Sequence, residues 1–412
     1  MSKPPIKRKC ASWIDTFVDH NSHIDSPKIF LRWVAIGTIS AALEQKVWLM
    51  TSSRLYANTY VFIVGHPGVG KTRAIRAGRS YSLELPEPHM APTSMSAASL
   101  VDALLQSKRT FISLPDPAVE YNSIQISADE LGAFMHKYDD EMVGVLSAFY
   151  DPDPYGQRRR GNDLKISIKS PQVNMIAGST PSNLMKFIPE GAWDQGFCSR
   201  IMMVFSDERI IGDDFAIVNR PTNQDLLHDL RIINTLTGNY SVTEDYRSAV
   251  NNWRALGEPP SPSHPKLIHY NTRRRVHLYK LSMVAAAAKS NALVLTKDDF
   301  NTAMGWMLEA EEMMPEIFQA GLVGADAKSM DEIYNFMMMK GAFGKKSMSE
   351  TTLVNEARKH APAHSVMRML EIMERGGQIK CLGQDRFGMR FYQAVTAGSP
   401  SASPQGPLAP ES

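Results

Sequence analysis

Residues 65–72, Gly65-His66-Pro67-Gly68-Val69-Gly70-Lys71-Thr72, follow the apolar run "NTYVFIV" and match G-x-x-x-x-G-K-[S/T]. At average composition such a match arises by chance in only about one or two chains in a hundred of this length. The residue types carry a mechanism. Glycines let the loop curl so that several N–H groups point at one anion, and a helix starting there adds its positive end. Lys71 is placed to reach the β- and γ-phosphates of a nucleoside triphosphate, the Thr72 hydroxyl to ligate Mg²⁺, and Arg73 to join the phosphate-binding set. A plain glycine-rich turn between a strand and a helix has no need of Lys-Thr at its end.

The rest of the chain alternates strand and helix patterns around this loop. "SPKIFLRWVAIGTISAALEQKVWL" reads as a helix, with Ser26 as cap candidate and Pro27 in the first turn, and residues 9–50 as mostly helical. A helix from Gly70 to about Leu85 follows the loop, and "TSMSAASLVDALLQSK" is a second capped helix. "SIQISADE" is a short strand ending in acids, "LGAFMHKYDDEMVGVLSAFY" a long helix, and "PQVNMIAGSTP" and "SRIMMVF" are further buried strands. This alternation predicts a three-layer α/β core with a parallel sheet over residues 58–218, preceded by a helical region at 1–57. Residues 219–325 read as a helical lid with no strand. Residues 326–395 read as two short helices, a third helix "SVMRMLEIMERG" and a two-stranded tail, a winged-helix pattern. Residues 396–412, rich in Pro, Ser, Gly and Ala, read as a disordered tail.

Hydrolysis of a triphosphate needs acids near the metal and the water. Asp129 and Glu130 close their strand about 58 residues after Lys71. That places Asp129 to hold Mg²⁺, largely through water, and Glu130 to polarise the attacking water. The next strand ends in Gly178-Ser179-Thr180. A hydroxyl of Ser179 or Thr180 could position that water; a simple strand-to-loop turn before Pro181 explains the same residues equally well. Arg200 stands just before a strand, and Arg273 and Arg274 open a helix in "NTRRRVHLYKL".

In this order — phosphate loop, acidic strand end, polar strand end, arginine, lid arginine — the chain resembles AAA+ P-loop ATPases. More narrowly, it resembles the superfamily 3-like helicases of phages and mobile elements, over about residues 26–290. The resemblance implies a ring, a homo-hexamer, with ATP and Mg²⁺ between subunits. It implies that Ser179 or Thr180 is the first sensor and that Arg200 is a finger on a neighbour's γ-phosphate. Arg273 or Arg274 would be the second sensor, the choice between them left open. It also implies a hairpin before the sensor strand that grips nucleic acid in the channel. The run "DPDPYGQRRRGNDLKISIKSP" falls there, with Arg158, Arg159, Arg160, Lys165 and Lys169 as candidate phosphate contacts. A solvated charge run is the competing reading of that stretch.

Composition excludes little. The formal net charge is +2, with 43% hydrophobic and 21% charged residues, which neither demands nor excludes nucleic acid. Cys10, Cys198 and Cys381 follow no metal-ligand spacing, and no apolar stretch approaches the roughly 20 residues that cross a bilayer. The expectation is therefore a cytoplasmic ATP-driven DNA helicase or translocase acting on single-stranded or forked DNA beside replisome proteins. A replication initiator or helicase loader, and a nucleotide-switched ATPase that remodels protein, remain the alternatives.

Overall fold

The apolar run before the glycine loop becomes the strand β1, Tyr60–Val64, buried at every position and next to the edge of a five-stranded sheet. The structure is a computed structural model that describes residues 7–86, 90–112, 118–136, 139–159, 164–188, 193, 196–213, 215, 220–342, 347–358, 363–386 and 388–395. The chain is a mixed α/β protein. It divides into two compact units, Met1–Gly321 and Leu322–Ser412, so the expected helical N-terminal region, α/β core and lid share one unit.

With β2 (Lys108–Phe111), β3 (Val119–Ala128), β4 (Pro171–Ser179) and β5 (Ile201–Phe205), the main sheet runs in the order β2-β3-β4-β1-β5. Four strands are parallel; the edge strand β2 pairs antiparallel to β3. Parallel strands covered on both faces should be apolar throughout, and all residues of β1, β4 and β5 are buried. Helices α1 (Trp13–His20), α2 (Lys28–Leu43) and α3 (Lys71–Leu83) belong to one side. A Cβ on Gly37 of α2 would press on Ile176 of β4, one on Gly178 of β4 would meet Ile75 of α3, and one on Gly78 of α3 would press on Val34 of α2. On the other side, the Tyr60 hydroxyl donates to the Leu146 carbonyl at 2.7 Å, which fixes the helix Asp140–Ala148 to that face. Helix α2 is apolar almost all round because it is enclosed, its buried side including Trp33, Val34, Ile36 and Ile39.

Five expectations change. The amino-terminal region is not all helical: the helix expected through Leu49 ends at Leu43, and Val47–Met50 and Arg54–Tyr56 are strands. Helix α2 begins at Lys28 behind Pro27, and Ser26 does not cap it; the Asp25–Ser26 backbone instead passes over the glycine loop. The single helix expected over 131–150 is two, Leu131–Phe134 and Asp140–Ala148, because Met135 is extended and Asp139 accepts from the Met142 N–H to start the second. The lid region is not all helical. Its strands Gly238–Val242 and Val294–Leu295 join Val47–Met50 and Arg54–Tyr56 in a separate four-stranded sheet. The first short helix expected after residue 326 is the end of the long helix Lys297–Ala342.

In the second unit, Ile333 and Met337 of that helix pack with Leu353, Val366, Leu370, Met373, Ile379 and Tyr392. The helices are Glu350–Ala357 and Ala363–Arg375, and the expected two-stranded tail is Ile379–Gln384 paired antiparallel with Arg390–Ala394. Residues 396–412 lie outside the described residues. None of the three cysteines is in a disulfide, and among the described residues no helix is long and apolar enough to cross a membrane.

Candidate active site

Strand register gathers the first set of expected residues at one edge of the sheet. Val64 pairs with Ser179 and Ala128 with Ala177, so the glycine loop after β1, the acids after β3 and the hydroxyls after β4 leave from neighbouring strand ends. The Gly65 N–H donates to the Ser179 carbonyl at 3.2 Å, tying the loop to β4. Gly68 and Gly70 stand at φ +85° and +82°, left-handed values that L side chains rarely adopt. Buried Val69 anchors the loop, and His66 and Pro67 are exposed. No side chain caps the amino end of α3, which leaves that end to an external acceptor. Lys71 is 7% exposed, and its ammonium turns back on the loop, donating to the carbonyls of Gly65 at 2.7 Å and His66 at 2.9 Å. Burial lowers its pKa, and the Glu130 charge opposes that shift. Thr72 is half-buried in the first turn. Arg73 pairs with Asp25, which also accepts from the Gly212 N–H.

The two acids differ: Glu130 is half-buried and precedes the helix Leu131–Phe134 without capping it by its side chain. Asp129 faces α3: its oxygens accept from Arg76 Nε and Arg79 Nη2, both at 2.7 Å. Arg79 also donates to Ser127. Sequence reasoning missed this pair, although the i, i+3 spacing of Arg76 and Arg79 on α3 was readable. Ser179 is buried, its hydroxyl donating to the Thr180 carbonyl at 3.2 Å. Thr180 caps the helix Pro181–Phe187 by accepting from the Asn183 N–H at 3.2 Å, the turn role weighed for it.

Arg200 lies at the opposite edge. It precedes Ile201, which pairs with Tyr60 at the start of β1. Six residues of extended chain, about 20 Å, separate that level from Gly65. Arg200 donates to Asp151 at 3.1 Å and to the Gly196 carbonyl at 2.8 Å, and Arg273 lies 3.8 Å from the same carboxylate. Beside them Lys280 is buried, donating to the Asn58 carbonyl and side chain and lying 3.8 Å from the Tyr150 ring centre; burial lowers its pKa to about 7. The expected lid arginines therefore do not cover this chain's own loop. Arg273 joins Arg200 at the far edge. Arg274 is architectural: it is 1% exposed, forks onto both oxygens of Glu311 and also donates to the carbonyls of Glu258 and Pro260.

The expected hairpin before β4 is present as Tyr155–Arg159 paired antiparallel with Leu164–Ile168. Arg158 stands opposite Lys165, and both are exposed, as is Lys169. Of Arg159 only the backbone is described, and Arg160 lies outside the described residues.

Among the described residues no cluster of three His, Cys, Asp or Glu side chains could hold a metal by protein ligands alone. The donor set at the loop is one hydroxyl and one or two carboxylates. That suits Mg²⁺, which is bound by few protein ligands and keeps waters and phosphate oxygens for the rest. No protein-family model matches the chain, and no curated protein matches it in sequence.

Proposed function

We propose that the chain is a Mg²⁺-dependent ATP hydrolase with an AAA+-like P-loop core, which assembles into a ring and moves along single-stranded or forked DNA during phage or mobile-element replication. The observation that carries this reading is a loop with two left-handed glycines and a buried lysine, one strand away from an acidic strand end. The sheet order supports it, since β4 lies between the phosphate-loop strand and the acidic strand and its polar end stands between the loop and the acids. In this reading the loop N–H groups and Lys71 hold the β- and γ-phosphates, Thr72 supplies a metal ligand, and Glu130 takes the proton of the attacking water. Bound Mg²⁺ offsets the phosphate charge. Asp129 serves the metal once it exchanges Arg76 and Arg79 for it.

Arg200 is about 20 Å along the sheet from its own loop, so a role in hydrolysis has to be played on a neighbour's nucleotide, with Arg273 beside it. Arg200→Ala is then expected to lower turnover about a thousandfold while ATP affinity, read by fluorescent-nucleotide titration, stays near the wild-type value. If affinity and thermal stability fall together, Arg200 is a packing partner of Asp151 and the ring mechanism loses its finger.

The hairpin supports the nucleic-acid half of the reading, since paired cations on an exposed two-stranded ribbon match a phosphate backbone. Arg158→Ala or Lys165→Ala should each reduce the slope of log affinity against log salt for single-stranded DNA by about 0.7. An unchanged slope assigns the run to solvent. The helices and strand pair of the second unit are compatible with a winged-helix module, with Arg368, Lys380 and Arg386 exposed. That module also suits an initiator or helicase loader, and strand displacement on a forked duplex separates the two.

A further inference from the structure

The face of α3 that meets the end of β3 carries cations that the glycine loop does not call for. Thr72, Arg76 and Arg79 stand at i, i+4 and i+7 of that helix, so they line one face at successive turns. About 6 Å of helix axis separates Thr72, the hydroxyl placed for the metal, from Arg76. The Asp129 carboxylate meets this same face, at the level of Arg76 and Arg79 rather than of Thr72.

The two arginines hold Asp129 unequally. Arg79 donates to Asp129 Oδ1 at 2.7 Å, to the Ser127 hydroxyl at 3.2 Å and to the Ser127 carbonyl, and its side chain is 21% exposed. It ties the end of β3 to α3 whatever Asp129 does. Arg76 donates from Nε to Asp129 Oδ2 at 2.7 Å, its one such contact among the described residues, and its side chain is 66% exposed. A contact so open to water is the weaker of the two and the one that can be given up.

With both guanidiniums in place, each oxygen of Asp129 has a donor and the carboxylate lies between two positive charges. A divalent cation approaching it alone meets net repulsion. Phosphate groups in the loop reverse the sign of that field.

We propose, resting on the ATP-site reading above, that Arg76 is a positioning residue that latches Asp129: in the empty site it holds the carboxylate about one turn away from Thr72, and it releases it when a magnesium nucleotide fills the loop. Arg79 keeps the strand end in place throughout. Metal and nucleotide then bind as a pair. Until the phosphates are bound, Asp129 is free for only a fraction of the time, and the affinity of a ligand falls in proportion to the fraction of its site that is competent.

The test uses the full chain and a fluorescent ADP, N-methylanthraniloyl-ADP, titrated with Mg²⁺ and with the metal chelated. The ratio of the two affinities is the metal effect. Arg76→Ala removes the competitor for Asp129 and is expected to raise the metal effect about tenfold. Alanine is a good helix former and Arg76 is exposed, so the variant does not threaten α3. In chains that also carry Asp129→Asn, Arg76→Ala should leave the metal effect unchanged, because no carboxylate remains to be released. A metal effect that is the same with and without Arg76→Ala overturns the latch and leaves the phosphate-loop reading standing. So does a rise of equal size in the Asp129→Asn background, which would come from the loss of a nearby charge alone. Failure of the wild-type chain to bind the fluorescent ADP overturns the phosphate-loop reading, and the latch with it.

Discussion

Lys71→Ala is expected to lower ATP turnover by at least about a hundredfold and to weaken nucleotide binding, with the circular dichroism of the chain unchanged. The reason is local. Among the described residues the Lys71 ammonium bonds to the carbonyls of Gly65 and His66 in its own loop, so its loss breaks no described hydrogen bond between elements, and alanine suits the first turn of α3. Burial disfavours the charged form, and phosphate oxygens bound at the loop would favour it again. Lys71→Arg should fail nearly as badly, because a planar guanidinium fork cannot take the place of a compact ammonium inside the curl. Turnover by coupled assay and affinity by titration check both. A Lys71→Ala chain that hydrolyses ATP at the wild-type rate removes the basis of the motor reading.

Gly70→Ala is expected to be the most destabilising small change in the loop, by about 3 kcal/mol or more in chemical denaturation. A Cβ at Gly70 would sit 1.7 Å from the Asp25 carbonyl oxygen and 2.8 Å from the Ser26 Cα. Neither is the yielding end of a side chain. The Asp25–Ser26 backbone would have to lift, and with it the contacts of Asp25 to Arg73 and Gly212. The left-handed φ adds about 1 kcal/mol of its own. Gly68→Ala is the internal control: its φ is +85°, but nothing lies within 4 Å of the added atom. It should therefore cost only the conformational term, about 1 kcal/mol. Equal losses in the two variants would show that the Asp25–Ser26 segment does not pack on the loop.

The parts of the fold that were legible are those whose signal is local. β1 and β5 are unbroken apolar runs, α3 is announced by its glycine, and the helix Ala97–Gln106 by Ser96, which accepts from the Ser99 N–H. The hairpin before β4 was implied by the resemblance, which placed it over a charged stretch flanked by turn residues. What failed depended on partners distant in sequence. Gly238–Val242 is a strand because Val47–Met50 offers it a parallel edge, and no periodicity within five residues can announce that. The 131–150 segment failed for a local reason instead: it looked continuous because its apolar spacing is helical throughout, yet Asp139 bonds forward as a cap and restarts the helix. Arg273 and Arg274 are neighbours of identical type. Only packing separates them, one beside Asp151 and the other sealed against Glu311. Asp129 showed the same limit, since an acid at a strand end carries no mark of the arginines that will meet it.

From residue order alone came the expectation of an anion cradle, because unhindered amides, a cation and a hydroxyl stand in succession within eight positions. Which cations stand at the glycine loop and which brace the interior was decided in three dimensions. Strand register sends Glu130 and Arg200 to opposite ends of one sheet, and the burial that fixes each charge's partner exists only once helices and strands far apart in the chain have packed.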